Sequence, residues 1–199
     1  MSRPAKIAFL MMIALAALTV GCPQKPPVLE TDRIPVPAAP PPPPRVAVKF
    51  ADAALEAVVR AQLGKTGGDL FEDDVKSITA LDAHKKSITD LAGLEHLTGL
   101  KALDLGANYL RMIDPLAKLS GLEELKLDEN FIVDVSPLAG LKKLTHLDLS
   151  SNEIMDVSPL AGLTNLVVLD LGDNEIRDLG PLSELKDQGV SIQLRDPRR

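Results

Sequence analysis

One interval dominates this sequence. Asn108, Asn130, Asn152 and Asn174 lie 22 residues apart, and Leu103, Leu125, Leu147 and Leu169 keep the same step. So do Leu105, Leu127, Leu149 and Leu171, then Leu110, Ile132, Ile154 and Ile176, then Ile113, Val135, Val157 and Leu179. Pro115, Pro137, Pro159 and Pro181, with Leu116, Leu138, Leu160 and Leu182, complete seven columns in register. A unit of 22 residues is too short to bury its own leucines. Such units hide them only by stacking, coil upon coil.

Within each unit the Leu-x-Leu pair alternates as a strand with one buried face, so stacking predicts a parallel sheet above continuous leucine ladders. The asparagine follows where the backbone turns away. Its amide has both donors and acceptors and satisfies loop groups that no ladder reaches. The later prolines, as in Ser136-Pro137 and Ser158-Pro159, suit the first turn of a short 3₁₀ segment on the opposite side, and Asp134, Asp156 and Asp178 stand where they cap it.

Segments such as Leu147-Asp-Leu-Ser-Ser-Asn152-Glu-Ile154-Met-Asp156-Val-Ser-Pro159-Leu160 resemble the repeats of internalin-like proteins, over about residues 75–185. The fold class is then an α/β leucine-rich-repeat solenoid: a short curved parallel β-sheet, a convex side of 3₁₀ turns and loops, and an N-terminal helical cap. The resemblance further implies an extracellular recognition surface, which is an expectation about function carried by analogy.

Both ends of the array are readable. Ile78, Leu81, Ile88, Leu91, Leu94, Leu97 and Leu100 fit a degenerate first unit, with Ala83 replacing a leucine and Lys86 standing where asparagine is due. Lys86 has no acceptor, so that turn is expected to be satisfied from the preceding cap. Residues 49–74 form the cap. Leu55, Val58, Val59 and Leu63 make one helical stripe, with Asp52 as N-cap and Gly64 as stop. Residues 75–196 hold the repeats. Their last strand, Val190 to Leu194, follows one residue out of step, for six strands in all.

Residues 1–21 have the parts of a secretory signal: basic Arg3 and Lys6, an apolar run of 14 residues from Ile7 to Val20, and small Gly21 before Cys22. The run is shorter than the ~20 residues of a spanning helix. Leu18-Thr-Val-Gly-Cys22 resembles a bacterial lipobox, with Thr19 where leucine is more usual. That resemblance implies cleavage before Cys22 and acylation of it, palmitate included, and a lipid-anchored protein of the cell envelope. Two or three acyl chains give stable anchoring where one is marginal. Residues 22–48 follow as a tether. Ten prolines between Pro23 and Pro44 exclude helix and sheet and predict polyproline II, with a reach on the order of 80 Å.

Charge and composition exclude several function classes. The net charge is −6, and removal of Arg3 and Lys6 with the leader leaves 20 basic against 28 acidic residues. Such a surface does not attract nucleic acid. The single cysteine rules out an intrachain disulfide and a cysteine-based zinc site. No phosphate loop, metalloprotease motif or nucleophile elbow is present, and His84, His96 and His146 are dispersed. No catalytic residue, metal, cofactor or small-molecule substrate is therefore expected. An open sheet is also expected to leave Glu124 and Asp128 too solvated to act as general acids.

A protein partner is expected instead, and two surfaces present themselves. On the concave face, Asp82, Asp104, Lys126, Asp148 and Asp170 form one column, beside Ala80, Ala102, Glu124, His146 and Val168. A third column holds His84, Gly106, Asp128, Ser150 and Gly172. The aspartates read either as a trough for a basic peptide or a weak calcium site, or as a solvated face that keeps the sheet soluble. The irregular residues Glu124, Lys126, Asp128 and His146, with Asp148, are the candidates for recognition. The second surface is the pair Tyr109 and Phe131, one place past successive asparagines, with Val133 and Met155 nearby. It reads equally as a binding patch or as edge packing. The alternative to recognition is a passive or self-associating envelope lipoprotein.

Overall fold

A computed structural model describes residues 45–194. The leader, Cys22 and all but the last residues of the Pro-rich stretch lie outside the described residues.

The chain starts with strand β1 (Ala47–Val48), helix α1 (Ala53–Gln62), strand β2 (Leu70–Phe71) and the single turn α2 (Glu72–Val75). β1 and β2 pair antiparallel. α1 begins at Asp52, whose Oδ1 accepts from the N–H groups of Ala54 at 2.8 Å and Leu55 at 3.2 Å, satisfying two orphan donors of the first turn. Leu55 and Val59 are its buried face, and left-handed Gly64, φ +65°, ends it. α2 is entered through Phe71, whose N–H donates to Asp74 at 3.0 Å.

Six three-residue strands follow: β3 (Ala80–Asp82), β4 (Ala102–Asp104), β5 (Glu124–Lys126), β6 (His146–Asp148), β7 (Val168–Asp170) and β8 (Ser191–Gln193). They form one parallel sheet in chain order, with Leu81, Leu103, Leu125, Leu147 and Leu169 side by side. Ile192 extends that row at an interval of 23, the one-residue offset expected of the last strand. The convex side carries 3₁₀ turns at Leu94–His96, Asp114–Lys118, Ser136–Gly140, Ser158–Leu160 and Gly180–Leu182, and the last runs into α3 (Ser183–Asp187). Asp134, Asp156 and Asp178, one residue ahead of the N-cap positions, accept from the N–H of Ser136, Ser158 and Gly180 at 2.8–2.9 Å, the first N–H of three of these turns.

The leucine columns make one continuous core from Val48 to Val190. Each fully buried leucine contributes on the order of 2 kcal/mol. Every residue of this core lies between Val48 and Val190, so a fragment of residues 43–199 retains all the apolar burial that drives its folding.

The asparagines lie beneath the sheet edge as a ladder. Asn130 Oδ1 accepts from Leu110 N–H in the coil before it, and its Nδ2 donates to the carbonyls of Leu127, Asp128 and, one coil back, Leu105. Asn152 and Asn174 repeat the pattern. Each amide therefore serves the turn before its own. This corrects the expectation for the first unit: the N–H groups of Lys86 and Ile88 both donate to Asn108 Oδ1 at 3.0 Å, from the following coil and not from the cap. From the cap, Asp52 Oδ2 accepts from the N–H of Thr89 at 2.9 Å, one residue beyond that turn.

Every coil also has a residue with left-handed φ just ahead of the asparagine position: Lys85, Ala107, Glu129, Ser151 and Asp173, at +52° to +56°. None is glycine. The cost of that conformation, about 1–2 kcal/mol each, is offset by the amide network it closes.

Candidate functional site

The concave face is the exposed side of the sheet. Its columns fall in the expected register: Ala80, Ala102, Glu124, His146 and Val168 lie side by side, as do Asp82, Asp104, Lys126, Asp148 and Asp170. Glu124, Lys126 and His146 are exposed. Two shallow depressions flank them. One, of about 340 Å³, is floored by Ala80 and Ala102 and edged by Asp82, Asp104 and Gln62 of α1. The other, of about 280 Å³, is edged by His146, Asp148, Val168 and Asp170. Glu124 and Lys126 line both and form the ridge between them.

The aspartate column has a structural task. Asp82, Asp104, Asp148 and Asp170 each accept through Oδ1 from the N–H two residues on, at His84, Gly106, Ser150 and Gly172, at 2.9–3.0 Å. Each carboxylate thus takes up the N–H where the strand ends, an Asx turn that releases the chain toward its asparagine. That accounts for the aspartates as a pattern without any ligand.

Where the pattern breaks, the chemistry changes. Lys126 replaces the aspartate in β5, and its Nζ lies 3.3 Å from Asp104 Oδ2. The ion pair with Asp104, helped by Asp128 and Asp148, holds this ammonium above its ordinary pKa. His84 approaches the same carboxylate, Nδ1 to Oδ1 3.7 Å. Asp128 is half-buried. Burial pushes its pKa up, and the charges of Asp148 and Asp104 push it further. The cause is Gly106 in the neighbouring coil. A Cβ there would come within 2.6 Å of Asp128 Oδ1 and 2.8 Å of His84 Nδ1, so the missing side chain lets both converge. The sequence places Asp104 in one concave column and His84 and Gly106 in another, but not as candidates for recognition.

His146 is separate from this cluster. Its Nδ1 lies 3.0 Å from Thr145 Oγ1, and His96 contacts Glu72 Oε1 at 3.2 Å in the convex turn. Among the described residues, no three histidine, cysteine or acidic side chains are placed to hold a metal ion. Tyr109 and Phe131 are 56% and 38% exposed, with stacked rings 6.3 Å between centroids and 14° between planes. The Arg111 guanidinium stands 5.3 Å from the Phe131 ring centre.

Fold and repeat define the class, a leucine-rich-repeat solenoid. Two family models match, "Leucine rich repeat" over residues 98–154 and "Leucine Rich repeats (2 copies)" over residues 142–186. No curated protein sequence matches. Among solved structures, an internalin (InlF) from Listeria monocytogenes is similar at 27% identity and a TM-score of 0.64, over 74% of this chain and 52% of that one. The functional domain of InlJ, also from Listeria monocytogenes, is similar at 26% identity and 0.57, over 71% of this chain and 38% of that one. A leucine-rich-repeat protein of Leptospira interrogans shares the fold, at 24% identity, 0.53, and 62% and 32% coverage. The chain is internalin-like in its repeats and fold, and it spans about half or less of the length of these solved chains.

Proposed function

We propose that this chain is a lipid-anchored recognition protein of a bacterial cell envelope whose concave sheet face meets a protein partner. One observation carries this reading. The irregular residues Glu124 and Lys126 form a ridge between two depressions on an uncovered sheet, with Asp128 close to Lys126 and His146 on the edge of one depression, while the repeated aspartates are occupied in turns. Structural needs account for the regular positions, and the departures from regularity are left for a ligand. Mixed charge around a low apolar floor suits a polar protein surface better than an enclosed small molecule. Similarity to internalins supports a recognition role. Cys22 carries the lipid, and the Pro-rich segment holds the solenoid away from the membrane.

Chemical crosslinking of the native protein in intact cells, followed by identification of the partner, tests the recognition. Glu124→Lys combined with Asp128→Asn should abolish the crosslinked product while far-UV circular dichroism stays unchanged. A product that survives both substitutions removes the concave face from consideration. Anchoring is tested separately by metabolic labelling with palmitate. Cys22→Ser should eliminate the label and free the protein from the membrane fraction, and persistent labelling would refute the lipid site.

A further inference from the structure

The flank of the solenoid just past the asparagine ladder carries apolar and charged groups that no other part of the fold uses. Tyr109 and Phe131 stack there, exposed, under Arg111, and exposed Val133 and Met155 extend the apolar surface. Stacked aromatics left in water next to aliphatic groups are typical of the centre of an interface.

Charge is segregated along this flank. The column after the asparagine reads Ser87, Tyr109, Phe131, Glu153, Glu175, and the column before it reads Lys85, Ala107, Glu129, Ser151, Asp173. On the side of the cap, Lys85, Lys86 and Arg111 are exposed and form no ion pair among the described residues. On the far side, Glu153, Asp173 and Glu175 are equally exposed and equally unpaired. Arg177, in the same column as Arg111, reduces the acidic end by one charge, and exposed Glu129 adds one in the middle coil, so the coils from Lys85 to Glu175 still pass from net positive to net negative. Along the solenoid axis the surface is therefore basic, then aromatic, then acidic.

Such a surface complements itself in reverse. A two-fold axis lying across the solenoid at Phe131, the middle of the five coils, sets each column against the same column of a second copy, with the order of coils inverted. Phe131 then meets Phe131, and the lysine end of each copy faces the glutamate end of the other. We propose that this flank is an isologous dimer interface whose occupant is a second copy of the chain. A foreign partner would need a matching polarity of its own, whereas a second copy supplies it by symmetry. The concave face stays open in the pair, so the inference does not depend on the function proposed above.

Sedimentation equilibrium on residues 43–199, which hold the whole core, tests this. The wild type should show a reversible monomer–dimer equilibrium that weakens as salt is raised. Lys85→Glu with Lys86→Glu, and separately Glu153→Lys with Glu175→Lys, should each weaken it at least about tenfold. An equimolar mixture of the two variants should regain near wild-type association, because the reversed charges are again complementary between unlike copies. Phe131→Ser should weaken the dimer at every salt concentration. A wild type that stays monomeric up to about 1 mM overturns the proposal. So does a mixture of folded variants that associates no better than either alone, or a dimer indifferent to all these changes.

Discussion

Replacing Asn108 by alanine should destabilise the solenoid more than the same substitution at Asn130, although both amides are buried, at 3% and 5% exposed. Asn130 touches four backbone groups, but three have a second partner. Leu105 O keeps Asn108 Nδ2 at 2.8 Å, Leu127 O keeps Asn152 Nδ2 at 2.9 Å, and Asp128 O keeps Ala107 N–H at 2.8 Å. Only the buried Leu110 N–H is orphaned, at a cost of about 1–3 kcal/mol. At Asn108 the count differs. Lys86 N–H and Ile88 N–H both lose their acceptor, and Ala83 O loses its donor, because Lys86 stands where that coil would have its own asparagine. Gly106 O and Leu105 O keep Lys85 N–H and Asn130 Nδ2. The cost at Asn108 therefore rises to about 4 kcal/mol, against about 2 kcal/mol at Asn130. Urea unfolding of residues 43–199 reads this gap as midpoints about 1 M apart. Equal midpoints, or a larger loss at Asn130, would refute the accounting of orphaned groups.

Asp52→Ala should cost about 1–2 kcal/mol through loss of the helix cap, measured by urea unfolding. Burial raises the Asp52 pKa, but hydrogen bonds from Thr89, Leu55 and Ala54 outweigh it and leave the pKa below 3.8. Its contribution is thus complete above that value and disappears as pH falls through the folded pKa, so thermal melts of wild type and variant should converge in acid. Asp128 is the opposite case: its folded pKa lies above 3.8, so ionisation opposes folding as pH rises through the folded value. Asp128→Asn should leave neutral-pH stability equal or slightly higher, with the difference gone below the ordinary value. A loss at neutral pH would contradict this. Gly93 has φ +101°, and a Cβ on it would lie 2.5 Å from the Lys49 carbonyl. Gly93→Ala should cost about 1–3 kcal/mol and expose the cap to limited proteolysis before the repeats.

How much of this was legible without coordinates differs from residue to residue. Leucine and proline columns announce themselves, since burial depends on residue type and spacing alone, and β3 to β8 follow from them. Asp52 and Gly64 were equally readable, because helix ends use local chemistry. The reach of Asn108 to a turn 22 residues earlier was not. A side chain shows its type in the sequence but not which neighbouring coil its two ends serve. The left-handed residues were invisible for a related reason, as Lys85, Ala107, Glu129, Ser151 and Asp173 share no side chain that favours the conformation. At the candidate site, the columns and their register could be read. The partial burial of Asp128 could not, because it arises from an absent side chain at Gly106 in another coil.

The asparagine ladder also governs how such a chain can change length. Every amide oxygen takes a proton donor 20 residues back and every amide nitrogen reaches a carbonyl 25 back, so neighbouring coils are joined by identical couplings. Duplicating or excising one whole coil leaves each of these couplings intact, whereas gaining or losing a single residue inside a coil severs two at once. The heritable unit of growth is therefore the full turn. A lineage of such proteins can lengthen or shorten its concave surface in steps of one strand without redesigning what lies beneath it.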